Sequence, residues 1–509
     1  MGENGKISKI LVCVTIFIFL ISLIPILYCA RYDYATGDDL GKSYAVHRVI
    51  KNGGTAFEVI EAAVDSARAV YYSHEGTWSS NFVLAFQPGV WGERYYCVTP
   101  IIGIISISVG ILFFLYEILV KYYGYDIKIY LSVSALLLTL VIQLMPYIKG
   151  GLFWYTGMAH YDLPFCMALI FLTFCIRYYR YGKFMHLLII LFTSIYLGGS
   201  HYQAILLSWL LLVLFLIMHF VNDKNIKIKL KKKESLFIFA AFLIQLVGFY
   251  YCYKSPGNAE RAEADFSFSF YKILETVKQS VAQSTTDGFK YIVETRWVAI
   301  YIVFLILLGM CVSDKERIKS KKNTFLICVY SYLVYCAMYA PALYYLTYNA
   351  SEGISGGYYD INFFVFMIFL TYSMLILGNI VGVGIVKKIN SKKLLYYLFN
   401  TYLAVLAVFA LIFSKHLIGM TADYTCVSFI KSGQLYDFET QMQERLAILE
   451  DDSIKNVVLP EMNDQQGPFM HMALVSDESN FTNTVTRLYY DKDSVIAVPR
   501  TEYYEKYAE

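Results

Sequence analysis

The chain has 509 residues, of which 57% are hydrophobic, 17% aromatic and only 16% charged. A soluble globule of this size could not hide that much apolar surface, so the composition excludes one and points to lipid. A net charge of +3 gives no footing for a nucleic-acid partner, and the 10 cysteines, mostly inside apolar runs and without a C-x-x-C pair, read as core residues.

Eleven apolar runs of membrane-spanning length are predicted, at 10–30, 98–119, 128–147, 161–177, 184–200, 203–221, 235–253, 296–313, 324–343, 359–384 and 394–414. The first exceeds a usual signal-peptide core, and Tyr28 spoils the small-residue pattern before Cys29 and Ala30. It reads as an uncleaved first helix. Every second loop is basic. Lys6 and Lys9 precede the first span, Lys121 and Lys128 follow the second, and Arg177, Arg180 and Lys183 follow the fourth. Lys224, Lys227, Lys229 and Lys231 to Lys233 follow the sixth, Lys315 to Lys322 the eighth, and Lys387 to Lys393 the tenth. The positive-inside rule then puts the N-terminus in the cytoplasm of a multi-pass cell-membrane protein. The lysine run at 229–233 has a second reading, as a site for anionic lipid.

The remaining loops, 31–97, 148–160, 254–295 and 344–358, then face outward, as does the tail 415–509. This divides the chain into a transmembrane domain, 1–414, and an extracytoplasmic C-terminal domain, 415–509. Within the first loop, "YATGDDLGKS" (34–43) resembles a phosphate-binding loop only at a glance. Gly37 and Gly41 have three residues between them where the motif needs four, and no strand precedes them. Over 44–72, Phe57, Val59, Ile60, Val64 and Ala67 recur at helical spacing among Glu58, Glu61, Asp65 and Arg68. This predicts helices along the membrane surface, broken at Gly53 and Gly54. The tail has 16 Asp or Glu against 8 Lys or Arg. Its "NVVLP" and "SVIAVP" read as short strands and "FETQMQERLAILE" as a helix, which predicts a small α+β domain.

Ionisable groups near a bilayer carry a functional hypothesis by default. Four outward clusters qualify: Asp38 and Asp39 after the first span; Trp154, His160 and Asp162 in "WYTGMAHYDLP"; His201 and Gln203 in "GGSHYQ"; and Lys254, Asn258, Glu260 and Arg261 in "KSPGNAER". Each also has an ordinary reading. An Asp pair caps a helix or sits in a solvated loop. A His at a turn bonds a neighbouring helix, and "SPGN" is a turn by composition. The 47 tyrosines are mainly interfacial and core residues. What favours chemistry is that the charge-derived topology brings all four clusters to one side. There a carboxylate can accept a proton from a hydroxyl, while cations neutralise a leaving phosphate.

In this order the clusters resemble a family of bacterial polytopic proteins related to GT-C glycosyltransferases. Its motifs are D-D after the first span, W-S-G-R later in that loop, H-E-Q after the fifth and P-G-N-x-x-R after the seventh. Asp38 and Asp39, His201 and Gln203, and Pro256, Gly257, Asn258 and Arg261 match. "TWSSNF" keeps Trp78 but has Ser80 and Asn81 where Gly and Arg are usual, and Tyr202 stands where Glu is usual. The resemblance implies an all-α GT-C fold and inverting transfer from a polyprenyl-phosphate sugar to an envelope glycan, lipid or protein on the outer face. It implies Asp38 as base or metal ligand, with Asp39 as its helper. His201, Gln203, Lys254, Asn258 and Arg261 would contact the donor phosphate, with Trp78, His160 and Asp162 as further candidates and Mg or Mn the cation if one is used. The competing reading is a transporter or flippase for a lipid-linked or envelope glycan. It would need charged groups at mid-membrane, and none stands at the middle of a predicted span.

Overall fold

The computed structural model describes residues 2–222, 232–262, 269–317, 321–346, 354, 356–389 and 391–507. The chain is a helical, multi-pass membrane protein. Among the described residues six helices are long and apolar enough to cross a bilayer: Lys9–Tyr32, Glu93–Tyr122, Tyr155–Tyr181, Lys233–Tyr253, Thr324–Leu346 and Gly356–Ile389. A seventh is made if Phe270–Val293 and Trp297–Cys311, which meet at 85°, count as one. Shorter apolar helices run Ile127–Gln143, Phe184–Gly198 and Tyr202–Met218, and Lys393–Ile418 is also helical. Lys224, Lys227, Lys229, Lys231 and Lys319 lie outside the described residues.

Local sequence explains where helices begin and end. Pro100 and Pro164 occupy first turns, where a missing N–H breaks no helical bond. Gly182 ends Leu163–Tyr181 at φ +63°, its N–H bonded to the Tyr178 carbonyl. Helices Phe184–Gly198 and Lys232–Tyr253 cross at Gly198 and Gly248, where a Cβ on Gly198 would lie 3.2 Å from the Gly248 Cα. Glycine lets the backbones meet there as membrane helices do. At the end of the bundle carrying Arg177 and Arg180, buried Glu117 receives both, at 2.8 and 2.9 Å. A buried carboxylate requires such partners.

The first loop folds into two helices, Asp38–Lys51 and Ala56–Ser73, separated at Gly53 (φ +71°) as the periodicity predicts. Thr55 and Glu58 form a reciprocal capping box that starts the second. Phe57, Ile60 and Val64 stay exposed on it while Ala63 and Ala67 pack inward. Helix Phe270–Val293 repeats the theme: Phe270, Leu274, Val277 and Val281 are exposed while Thr276, Ser280, Ser284 and Asp287 are buried. An apolar outer face over a polar inner one suits lipid outside and protein within.

The tail forms strands β1 (Asn456–Pro460) and β2 (Ser494–Val498), paired parallel with Asn456 opposite Ser494, and four helices, Ala422–Lys431, Gln434–Leu449, Phe481–Tyr490 and Arg500–Lys506. It is not held at a distance. His47 stacks on Tyr489 at 4.1 Å, Lys51 meets Asp452 at 2.8 Å, and the Met472 N–H donates to Thr36 Oγ1 at 3.0 Å. The tail therefore buttresses the helix that begins with Asp38 and Asp39.

Candidate functional site

Residues from every loop of the expected outward set, the tail excepted, meet around one cavity of about 540 Å³. Glu75 and Thr77 come from the first loop, His160 and Tyr161 from the next, and His201 and Tyr202 from the Gly199–Tyr202 turn. Tyr253 and Asn258 follow, and Ile273, Pro341 and Tyr358 also line it. Tyr202, Ile205, Leu206 and Trp209 also line it, at the three- and four-residue spacing of one face of helix Tyr202–Asn222. The cavity therefore has a polar head and an apolar flank that runs along the helix axis.

The head is built by close approach of two short segments. A Cβ on Gly76 would overlap the Cys252 carbonyl oxygen, and one on Gly257 would overlap the His74 amide. "HEG" and "SPGN" can touch only because both positions are glycine. Asn258 then staples them. Its Oδ1 accepts from the Gly76 N–H at 3.0 Å, and its Nδ2 donates to the Cys252 carbonyl at 2.6 Å and the Tyr202 hydroxyl at 3.2 Å. This fixes Glu75 at the cavity wall. Asn81 Nδ2 donates to Glu75 Oε1 at 3.0 Å, and Lys42 Nζ lies 3.6 Å from the same oxygen. Burial alone would raise the Glu75 carboxyl. The His160 imidazole, Lys42, Asn81 and His74 outweigh it and hold the group well below the usual carboxylate range.

Three aromatic rings surround His201: Tyr161 at 4.6 Å, Tyr358 at 4.6 Å and His160 at 5.1 Å between centroids. Its side chain is buried and its Nδ1 has no hydrogen-bond partner. Burial, with His160 beside it, pushes the imidazole well below its ordinary value. Trp78 underpins this turn. Its ring fills the space a Gly199 side chain would take, and the Ser79 N–H donates to the Gly199 carbonyl at 2.9 Å. His160 stands on a π-helical turn, Met158–Asp162, that opens helix Leu163–Tyr181.

The other sequence candidates fall elsewhere. Asp39 is fully buried and satisfied. Its Oδ1 accepts from the Thr156 N–H at 2.8 Å and the Thr156 hydroxyl at 2.6 Å, and its Oδ2 from the Tyr96 hydroxyl at 2.5 Å. Burial, opposed by those bonds, pushes it up to about 6. Asp38 is half-buried at the first residue of helix Asp38–Lys51 and is not among the residues lining the cavity. Gln203 is fully buried and ties helices together, donating to the Met338 carbonyl at 2.9 Å and Asn362 Oδ1 at 2.7 Å. Lys254 is exposed, its ammonium 5.8 Å from the Tyr253 ring centre. Arg261 belongs to helix Pro256–Ala262, and its side chain lies outside what is described. Asp162 and Asp360 are both buried, and a Cβ on Gly151 would lie 2.9 Å from one carboxylate and 3.1 Å from the other. Both oxygens of Asp162 lack a hydrogen-bond partner, whereas Asp360 accepts from the Tyr147 N–H at 2.7 Å.

Glu75 and Lys42 went unnoticed in the sequence. The signals were present: an acid between His74 and Gly76 just before Trp78, and a lysine one helical turn after Asp38. Glu75 receives an ammonium and an amide N–H, and Asp39 four protein donors, the Thr36 N–H at 3.4 Å being the fourth, so neither presents the free oxygen set that Mg or Mn requires. Among the described residues no three His, Cys, Asp or Glu side chains gather as a metal set. No family model and no curated protein matches the chain.

Proposed function

We propose that the chain is a GT-C-type membrane glycosyltransferase, moving a sugar from a polyprenyl-phosphate donor to an envelope glycan, lipid or protein on the outer face of the cell membrane. The observation that carries this reading is the cavity's amphiphilic form. A carboxylate and two histidines sit at its head, and Ile205, Leu206, Trp209 and Phe249 lie along its flank. A lipid with a sugar-phosphate headgroup has the same division. The headgroup meets Glu75, His160 and Asn258, and the first isoprene units pack against the flank.

The proposal gives the base role to Glu75 rather than Asp38. Glu75 is the carboxylate among the described residues that line the cavity. A base must be ionised beside the acceptor hydroxyl, and its partners keep it so. Asp38 shares a helix face with Lys42, four residues on, and sets the local charge around it. Eleven spans with a cytoplasmic N-terminus complete the proposal, supported by the alternating basic loops. A second reading, a proton-coupled transporter or flippase, has one observation in its favour: the buried Asp162–Asp360 pair.

The test is sugar transfer in membranes supplied with a panel of polyprenyl-phosphate sugars. Wild type transfers from at least one donor, and Glu75→Gln reduces turnover by roughly two to four orders of magnitude, the usual worth of a general base. Asp38→Asn costs less. No transfer from any donor, or full transfer by Glu75→Gln, overturns the assignment. Movement of the lipid across the bilayer without transfer supports the second reading instead.

A further inference from the structure

Lys42 is the cation of the "GDDLGKS" stretch; the phosphate-loop motif that would use it fails on its glycine spacing, and the family resemblance gives it no role. It reaches Glu75 Oε1 at 3.6 Å, with the two side chains only 13% and 16% exposed. That separation is too long for a good hydrogen bond. The pair is held by charge, on the end of a four-carbon arm with three rotatable donors. The carboxylate, in contrast, is anchored. Asn81 donates to the same oxygen at 3.0 Å and to the Thr77 carbonyl at 3.0 Å. The carboxylate is held by a hydrogen bond and the ammonium by charge alone, with both side chains largely buried.

A phosphate entering this head meets Glu75, an anion, at close quarters. In a half-dry cavity two anions repel unless a cation serves both. His160 already faces Glu75 from the cavity lining, His201 is buried among aromatic rings and held neutral, and Lys254 is exposed over Tyr253. Lys42 does not itself line the cavity, but its ammonium stands beside the Glu75 oxygen where the conflict arises.

Resting on the transferase reading above, we propose that Lys42 is an exchangeable counter-ion. It neutralises Glu75 before the donor binds and moves onto the lipid phosphate when the donor is in place. The move leaves Glu75 ionised and without its ammonium, hence more basic, only when there is a sugar to transfer. The acceptor hydroxyl oxygen then bonds to the anomeric carbon, and the bond from that carbon to the phosphate oxygen breaks. The bonding pair stays on the phosphate, and the hydroxyl proton passes to Glu75. The phosphate changes from a singly charged diester to a monoester of higher charge, so Lys42 sits where negative charge develops.

The exchange makes an unusual demand: removing the Glu75 charge must help the anion bind while it stops the chemistry. The probe is farnesyl phosphate, titrated calorimetrically into the full chain in detergent, with farnesol as the neutral control. Lys42→Met keeps the stem without the charge, and weakens farnesyl phosphate binding about 10- to 100-fold, the value of a charge-assisted contact. Lys42→Arg stays within a few-fold of wild type, which guards against loss through misfolding. Glu75→Gln tightens farnesyl phosphate several-fold and lowers sugar transfer by roughly two to four orders of magnitude. Farnesol binding is the same in all four proteins. Weaker or unchanged farnesyl phosphate binding in Glu75→Gln, or wild-type binding in Lys42→Met, overturns the exchange even if wild type transfers sugar. Opposite shifts in the two variants, with no transfer by wild type from any donor, uphold the exchange and overturn the transferase reading.

Discussion

Asn258→Ala tests whether the Pro-Gly-Asn turn works by shaping the head of the cavity or by touching a donor. Asn258 is half-buried and joins three separate pieces: the Gly76 N–H, the Cys252 carbonyl and the Tyr202 hydroxyl. Each bond contributes roughly 0.5–1.5 kcal/mol net, so the staple as a whole contributes on the order of 2–4 kcal/mol. Its loss frees the "HEG" segment from the "SPGN" turn and leaves the Gly76 N–H without its acceptor. Glu75 is the next residue in the chain, and a shift of about 1 Å in a catalytic group lowers turnover by about a hundredfold. The expected result is an unfolding midpoint in detergent several degrees below wild type, with transfer reduced about 10- to 100-fold. Asn258→Asp separates the contributions. It keeps the acceptor for Gly76, loses the bonds that Nδ2 donates to Cys252, Tyr253 and Tyr202, and sets a second carboxylate near Glu75. It therefore melts between wild type and Asn258→Ala but transfers no better than Asn258→Ala. Wild-type melting and transfer in Asn258→Ala would refute the argument that this residue builds the site.

Three further outcomes follow from the same geometry. Because burial raises Asp39 to about 6, the folded state holds its proton while the unfolded chain has already lost it. Its contribution is then complete below about pH 4 and declines as pH rises to about 6, by up to roughly 3 kcal/mol, and this slope vanishes in Asp39→Asn melting curves. Gln203→Leu strands the Met338 carbonyl and Asn362 Oδ1, at about 1–3 kcal/mol each, and lowers the unfolding midpoint in detergent without changing farnesyl phosphate affinity in the protein that remains folded. On a cysteine-free background, a membrane-impermeant thiol reagent applied to intact cells labels a cysteine placed at exposed Ser479 and misses one at exposed Lys387; the reverse pattern inverts the orientation.

The helices and strands were legible because their signals are local. Apolar length marks a span, Gly53 and Gly54 interrupt a helical period, and short runs of β-branched and apolar residues give β1 and β2 within a residue of where they form. The meeting of the loops around one cavity agrees with the expectation, drawn from the alternating basic loops, that those loops share a side. What could not be read was which carboxylate faces it. Asp38 and Asp39 are adjacent, yet successive residues on a helix point about 100° apart. That rotation sends Asp39 into a pocket of Thr156 and Tyr96 and leaves Asp38 half-buried, a distinction with no counterpart in the pair of letters.

The same logic explains why the family-like motifs misdirect when each is taken as a list of ligands. His201 does stand at the cavity, but Gln203, two residues on, is turned into the bundle by the helix that starts at Tyr202. Asn258 lines the cavity while its polar atoms are engaged by the neighbouring backbone and by Tyr202. Asn81 stands where the resemblance expects arginine. An arginine there would bring a further cation to Glu75 beside Lys42, whereas the amide holds the carboxylate at 3.0 Å and leaves the ammonium at 3.6 Å. The departure from the pattern and the presence of Lys42 are thus two halves of one electrostatic arrangement. A chain with both Arg at 81 and Lys at 42 would over-neutralise the carboxylate and weaken it as a base. Asn81→Arg is therefore a gain of charge that lowers transfer rather than restoring it.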